Sequence, residues 1–207
     1  MILGNRAAHA RNIGSLLARS LYGVHVSGAH HVPRSGPTLL VSRCADVGAL
    51  LMLKSMSPRP LSVLLPGPLG DWAGDVAGDI SVESPYAIGA QIRALGILNG
   101  HDMFEPGCVL ASPEIVDPGF LITEADPAVI PVEIWCEARG GEPHEWISRA
   151  PAPRSQVHVY FGEPARAPEF KVHGRVNEAR SASEWCRQFT ADHQEMVLHR
   201  LGRKATP

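Results

Sequence analysis

After a short apolar run, Leu39-Leu40-Val41, the chain reads Ser42-Arg43-Cys44-Ala45-Asp46. The thiol of Cys44 could attack a thioester, provided a neighbouring base lowers its pKa. The local sequence supplies no such base, and a cysteine without one usually behaves as a small buried hydrophobe. Arg43 stays protonated at physiological pH and cannot accept a proton. Asp46 is the first acidic residue of the chain. Two more polar groups stand just past apolar runs: Ser112-Pro113-Glu114 after Val109-Leu110-Ala111, and Glu83 after Ile80-Ser81-Val82. Glu114, just past the strand, reads as a turn or helix cap.

Other constellations are weaker. Only His158 and His173 of the ten histidines have an acid five positions on, Glu163 and Glu178. His25, His30 and His31 cluster early, without cysteine or acid at metal-ligand spacing. Gly70-Asp71, Gly74-Asp75 and Gly78-Asp79 repeat every four residues, a spacing that suits turns better than calcium ligation. Cys44, Cys108, Cys136 and Cys186 are far apart, so no C-x-x-C chemistry is indicated. There is no G-x-x-x-x-G-K-[ST], G-x-G-x-x-G, G-x-S-x-G or H-E-x-x-H motif, and no nucleotide, metal or other cofactor is expected. The tryptophans do not alternate with basic clusters, which argues against nucleic-acid binding.

The elements that must position these residues alternate in type. Helical spacing of Ala10, Ile13, Leu17 and Leu21 predicts an amphipathic helix over 5–22. Strands are expected at 24–26, 38–41, 61–65, 80–82, 108–111, 128–134 and 157–161. Helices are expected at 46–56, stopped by Pro58 and Pro60, at 87–98, closed by Asn99-Gly100, and at 175–201 with Trp185, Phe189, Met196 and Leu201 on its apolar side. Gly28 through Pro33 reads as a turn. This alternation predicts an α/β layered fold, with residues 1–207 forming one domain.

Composition is that of an ordinary globular protein: 44% hydrophobic, 19% charged and a formal net charge of -2 over 207 residues. The 20 glycines and 18 prolines imply many turns. Arg6, Arg11, Arg19, Arg34 and Arg43 precede the first acid. That bias suits either peripheral contact with an anionic membrane or a solvated helix face. Neither a signal-peptide core nor a run of about 18 apolar residues is present, so a cytoplasmic setting is expected, on its own or against the membrane face.

In order and spacing, the blocks resemble those of the lysophospholipid (glycerol-phosphate) acyltransferase family. The resemblance runs from Tyr22 to Pro164: Val24-His25-Val26-Ser27-Gly28, then Val32-Pro33, then Leu39-Leu40-Val41; Leu61–Leu65 and Ile80-Ser81-Val82-Glu83; Val109-Leu110-Ala111-Ser112-Pro113-Glu114; Val129-Ile130-Pro131-Val132; and Phe161-Gly162-Glu163-Pro164. It implies a single-domain mixed β-sheet covered by helices, with an acyl-CoA or acyl carrier protein donor and a lipid acceptor. In that family a His, four residues and an Asp follow the first apolar strand, the His serving as general base. Setting the His at Cys44 puts the Asp at Ala49; setting it at Arg43 puts the Asp at Gly48. Neither register restores the pair. Glu83 stands where the family has a phosphate-holding arginine, and Ser112 and Ile115 replace an aromatic residue and a glycine beside the kept Pro113-Glu114. The resemblance therefore marks Arg43, Cys44 and Asp46 as the degenerate motif, and Ser112, Pro113, Glu114 and Glu83 as substrate-binding positions. Three readings follow: a catalytically silent relative with a lipid- or acyl-binding groove, an active but diverged acyltransferase, or a scaffold partner of an intact paralogue.

Overall fold

The computed structural model describes residues 19–66, 80–82, 87–100, 107–137, 143–145, 154–170, 172 and 174–200. The Gly-Asp repeat, Glu83 and most of the predicted first helix lie outside them; 19–21 are helical. Eight strands form one mixed sheet: β1 (Gly23–Ser27), β2 (Thr38–Val41), β3 (Ser62–Pro66), β4 (Ile80–Val82), β5 (Cys108–Ala111), β6 (Ala128–Glu137), β7 (Pro143–Glu145) and β8 (Gln156–Phe161). The helices are α1 (Val47–Met56), α2 (Ile88–Leu98), α3 (Gly119–Ala125) and α4 (Arg175–Arg200), with a 3-10 turn at Ala29–His31. The strand order is β1-β8-β6-β2-β5-β3-β4, and β7 pairs with β6. β8 and β7 run antiparallel to β6; the other pairings are parallel.

The central strands are buried on both sides, which is why they read as unbroken apolar runs rather than alternating ones. Leu39, Val41, Val63, Leu64, Leu65, Val109, Leu110 and Ala111 are all fully buried. The chain leaves β2, passes through α1 and enters β3 on one side of β5; it leaves β5, passes through α3 and enters β6 on the other side of β2. Right-handed crossovers in opposite directions place their helices on opposite faces. Accordingly α1 packs on β3, whereas α2 packs on α3 and α3 on α4.

The buried stripe of α4 differs in part from the expected one. Ala182, Ser183, Cys186, Thr190, His193 and Val197 face inward; Trp185 and Phe189, stacked at 5.3 Å, pack partly buried against the core as expected, but Met196 is 39% exposed and Leu201 lies outside the described residues. Small residues win the inner face because the backbones approach too closely for aromatics. A Cβ on Gly119 would stand 1.9 Å from the Ala179 carbonyl oxygen. The early histidines also divide: His30 and His31 have ring centroids 4.1 Å apart, but His25 stacks across strands on His158 at 5.2 Å.

Candidate functional site at the carboxyl ends of β2 and β5

β2 and β5 are parallel neighbours in register, Val41 opposite Ala111. The next residue on each strand is a fully buried serine, Ser42 and Ser112. The Ser42 amide donates to the Ala111 carbonyl at 3.0 Å. Both hydroxyls then accept from the amide two residues on: Ser42 Oγ from Cys44 N at 3.3 Å, and Ser112 Oγ from Glu114 N at 3.3 Å. A serine that replaces the lost ladder acceptor turns the chain out of the sheet. Because the two chains turn toward opposite faces, a crevice opens between them. In open α/β sheets, such a switch point at the strands' carboxyl ends is where ligands bind.

Arg43 and Glu114, one residue past Ser42 and two past Ser112, are both exposed at this crevice. With Pro113 and with Glu184, Arg187, Gln188, Thr190 and Ala191 of α4, they line a cleft of about 420 Å³. The Arg43 guanidinium donates to Gln194 Oε1, tying the β2 exit to α4. Arg43, Glu114, Glu184 and Arg187 form no ion pair among the described residues. The cleft thus presents two cations and two anions to a ligand.

The motif positions divide sharply. Cys44 is buried in the core at 6% exposure, and so is Ile115. The Asp46 carboxylate accepts from the Ala49 amide at 2.9 Å, capping the N-terminus of α1. Ser112 also closes the next turn, its carbonyl accepting from Ile115 and Val116. Pro113 and Glu114 are the expected substrate-binding residues that reach the cleft. The α4 residues were not foreseen, since they lie some seventy positions later in the chain; the helical spacing of 184, 187, 188 and 191 is the one sequence signal for their common face.

Two clamps hold α4 beside the crevice. At one, Asp117 Oδ1 accepts from the Gly119 amide at 3.0 Å and from the Ser183 hydroxyl. At the other, His193 packs on Gly162, just past β8. Burial pushes the His193 imidazole down to about 4, with neighbouring Arg200 and His31 adding to the effect, and its Nε2 is buried without a hydrogen-bond partner among the described residues. It is neutral near pH 7 but far too weak a base to replace the missing one. Burial likewise raises the thiols of Cys136, Cys108 and Cys186, the last two to about 12, so none supplies a thiolate. Among the described residues, no group of three or more His, Cys, Asp or Glu is placed to hold a metal, and no helix is long and apolar enough to cross a membrane.

No family model matches the sequence, and no curated protein matches it significantly. Among solved structures, the fold is similar to the crystal structure of the 1-acyl-sn-glycerophosphate (LPA) acyltransferase PlsC from Thermotoga maritima. The TM-score is 0.52 at 11% identity, covering 90% of this chain and 79% of that one. The expected α/β fold, a mixed sheet covered by helices in an acyltransferase-like arrangement, is thereby observed.

Proposed function

We propose that the chain is a catalytically silent relative of the glycerol-phosphate acyltransferases. It keeps their architecture and binds a lipid-derived ligand by its polar end at the crevice between β2 and β5. One observation carries this reading: among the described residues, no histidine paired with a carboxylate stands at the crevice mouth. The thiol of Cys44 is in the core, Arg43 cannot take a proton, and the Asp46 carboxylate is engaged by the α1 amide. Acyl transfer to a hydroxyl needs a group able to remove its proton near neutral pH. The lining of Arg43, Arg187, Glu114 and Glu184 suits a headgroup carrying charge of both signs or several hydroxyls better than an acyl chain.

The test combines turnover with binding. Purified protein supplied with acyl-CoA and lysophosphatidic acid should leave both unchanged, while a lysolipid titration should saturate and weaken in Arg43→Ala and Arg187→Ala. Turnover that disappears in Glu114→Ala would sink the silent reading. Absence of lysolipid binding would remove the ligand half of it.

A further inference from the structure

The outer edge of β1 is open. The Gly23 amide donates to the Ser155 carbonyl at 3.0 Å, and β1 runs parallel to β8 with His25 opposite His158. Alternate residues of a parallel strand use both backbone groups on one neighbour. Gly23, His25 and Ser27 therefore turn theirs toward β8, while Val24 and Val26 turn theirs away. β1 ends the strand order, and among the described residues the Val24 and Val26 amides and carbonyls meet no partner on that side. We propose that β1 pairs antiparallel with β1 of a second copy of this chain, about a two-fold axis at His25, and joins the two sheets into one.

The first support is self-complementarity. A two-fold interface needs a patch that fits itself, and the sequence is symmetric about His25: Val24-His25-Val26. In that register Val24 of each copy faces Val26 of the other. Both are hydrogen-bonded pairs, because both valines point their backbone outward, and each pair exchanges two N–H···O=C bonds. The seam thus uses every outward group of the valines. The side chains agree with the backbone. Val24 and Val26 pack partly buried against the core, beside the fully buried Val157 and Val159, so across the seam they continue one apolar layer. His25, exposed on the other face, meets its own counterpart as a non-hydrogen-bonded pair, with Cα atoms about 4.5 Å apart.

The second support is what the edge lacks. Exposed edges are ordinarily blocked by lysine, proline, a bulge or an inward charge. β1 reads Gly-Val-His-Val-Ser, without proline, lysine, arginine or acid, and its five residues pair with β8 in unbroken register. The strand at the other end of the sheet, β4, has only three residues, and such shortness is itself a protection. His25 is also held in place: its Nε2 bonds Gln156 Oε1 at 2.9 Å, and its ring stacks on His158 at 5.2 Å. Little side-chain freedom is left to lose on pairing. A five-residue edge makes a small interface, so the dimer is weak and reversible.

Sedimentation velocity of the full chain, from low micromolar to near-millimolar concentration, should show a concentration-dependent monomer–dimer equilibrium. His25→Lys sets two like charges directly opposite each other and should weaken it about fivefold; His25→Glu should do the same. An equimolar mixture of the two variants should regain dimer, because the charges then attract. Val26→Pro removes an outward amide without touching the β8 ladder, a change that edge strands tolerate, and should weaken the dimer about tenfold or more. Ile88→Ser, at an isoleucine 70% exposed on α2, and Arg43→Ala, at the crevice, should leave it unchanged. A monomer at every concentration overturns the proposal. So does a dimer indifferent to both His25 variants, a dimer lost in Ile88→Ser, or a mixture of the Lys and Glu variants that stays monomeric. A folded Val26→Pro that dimerises at full affinity overturns it too; should that variant not fold, the mixing experiment still decides. The crevice reading stands or falls separately, because lysolipid binding neither requires nor excludes pairing at β1.

Discussion

Gly162 packs directly against His193: a Cβ on the glycine would lie 2.7 Å from imidazole Cε1 and 2.8 Å from Nδ1. That contact sets the distance between the β8 exit and the half of α4 that flanks the crevice. Pro131 crowds the same point at 2.6 Å, so neither neighbour can move aside cheaply. Gly162→Ala should therefore cost about 1–3 kcal/mol by overpacking. A fall in the urea midpoint at constant slope would show it, with α4 more readily cut by protease in the variant. Unchanged stability would mean that α4 shifts freely.

The state of His193 gives stability a pH dependence. Its folded pKa of about 4 lies below the ordinary value of 6.5. Between those values the unfolded chain binds a proton that the folded chain refuses, so stability falls as pH drops from about 6.5 to about 4 and then levels. Above 6.5 both states are neutral and this residue adds no slope. The full effect is on the order of 3 kcal/mol. Denaturation at stepped pH should show the decline, and His193→Gln should flatten that part of it.

Asp46 illustrates how a motif residue can have an entirely local role. It was marked by its place beside the degenerate motif, yet its carboxylate closes the first turn of α1. Asp46→Ala should lower stability by about 1 kcal/mol, and Asp46→Asn should recover most of that. Ligand affinity at the crevice should stay the same in both variants, as measured by titration.

The strands were legible because burial on both faces forces continuous apolar runs, and β2, β4 and β5 sit where the sequence places them. Helix α3 was missed; its seven residues, Gly119–Ala125, are too few to display a helical period. The crevice was half legible. Arg43, Pro113 and Glu114 follow apolar strands and were marked, whereas Glu184 and Arg187 join them only because α4 folds back across the sheet. The apolar side of α4 was legible in part, since Trp185 and Phe189 pack against the core while Met196 is exposed. Periodicity finds large apolar residues, but a helix seated on Gly119 and Gly162 must present small or flat ones.

Rebuilding the family's dyad separates the loss of a base from the loss of the pocket. In the first register, Cys44→His with Ala49→Asp puts a carboxylate at a fully buried alanine of α1. An unpaired charge there should cost several kcal/mol, enough to unfold a domain of ordinary stability. In the second register, Arg43→His with Gly48→Asp, both positions are exposed, and an aspartate in the first turn of α1 interacts favourably with the helix dipole. The second double variant should therefore fold with a melting temperature within a few degrees of the parent, and the first should not. No acyl transfer is expected from the folded one, because Ile115 stays buried where the resemblance implies a glycine beside the substrate. Transfer from acyl-CoA to lysophosphatidic acid by Arg43→His/Gly48→Asp would show instead that the binding groove survives intact and that only the base was lost.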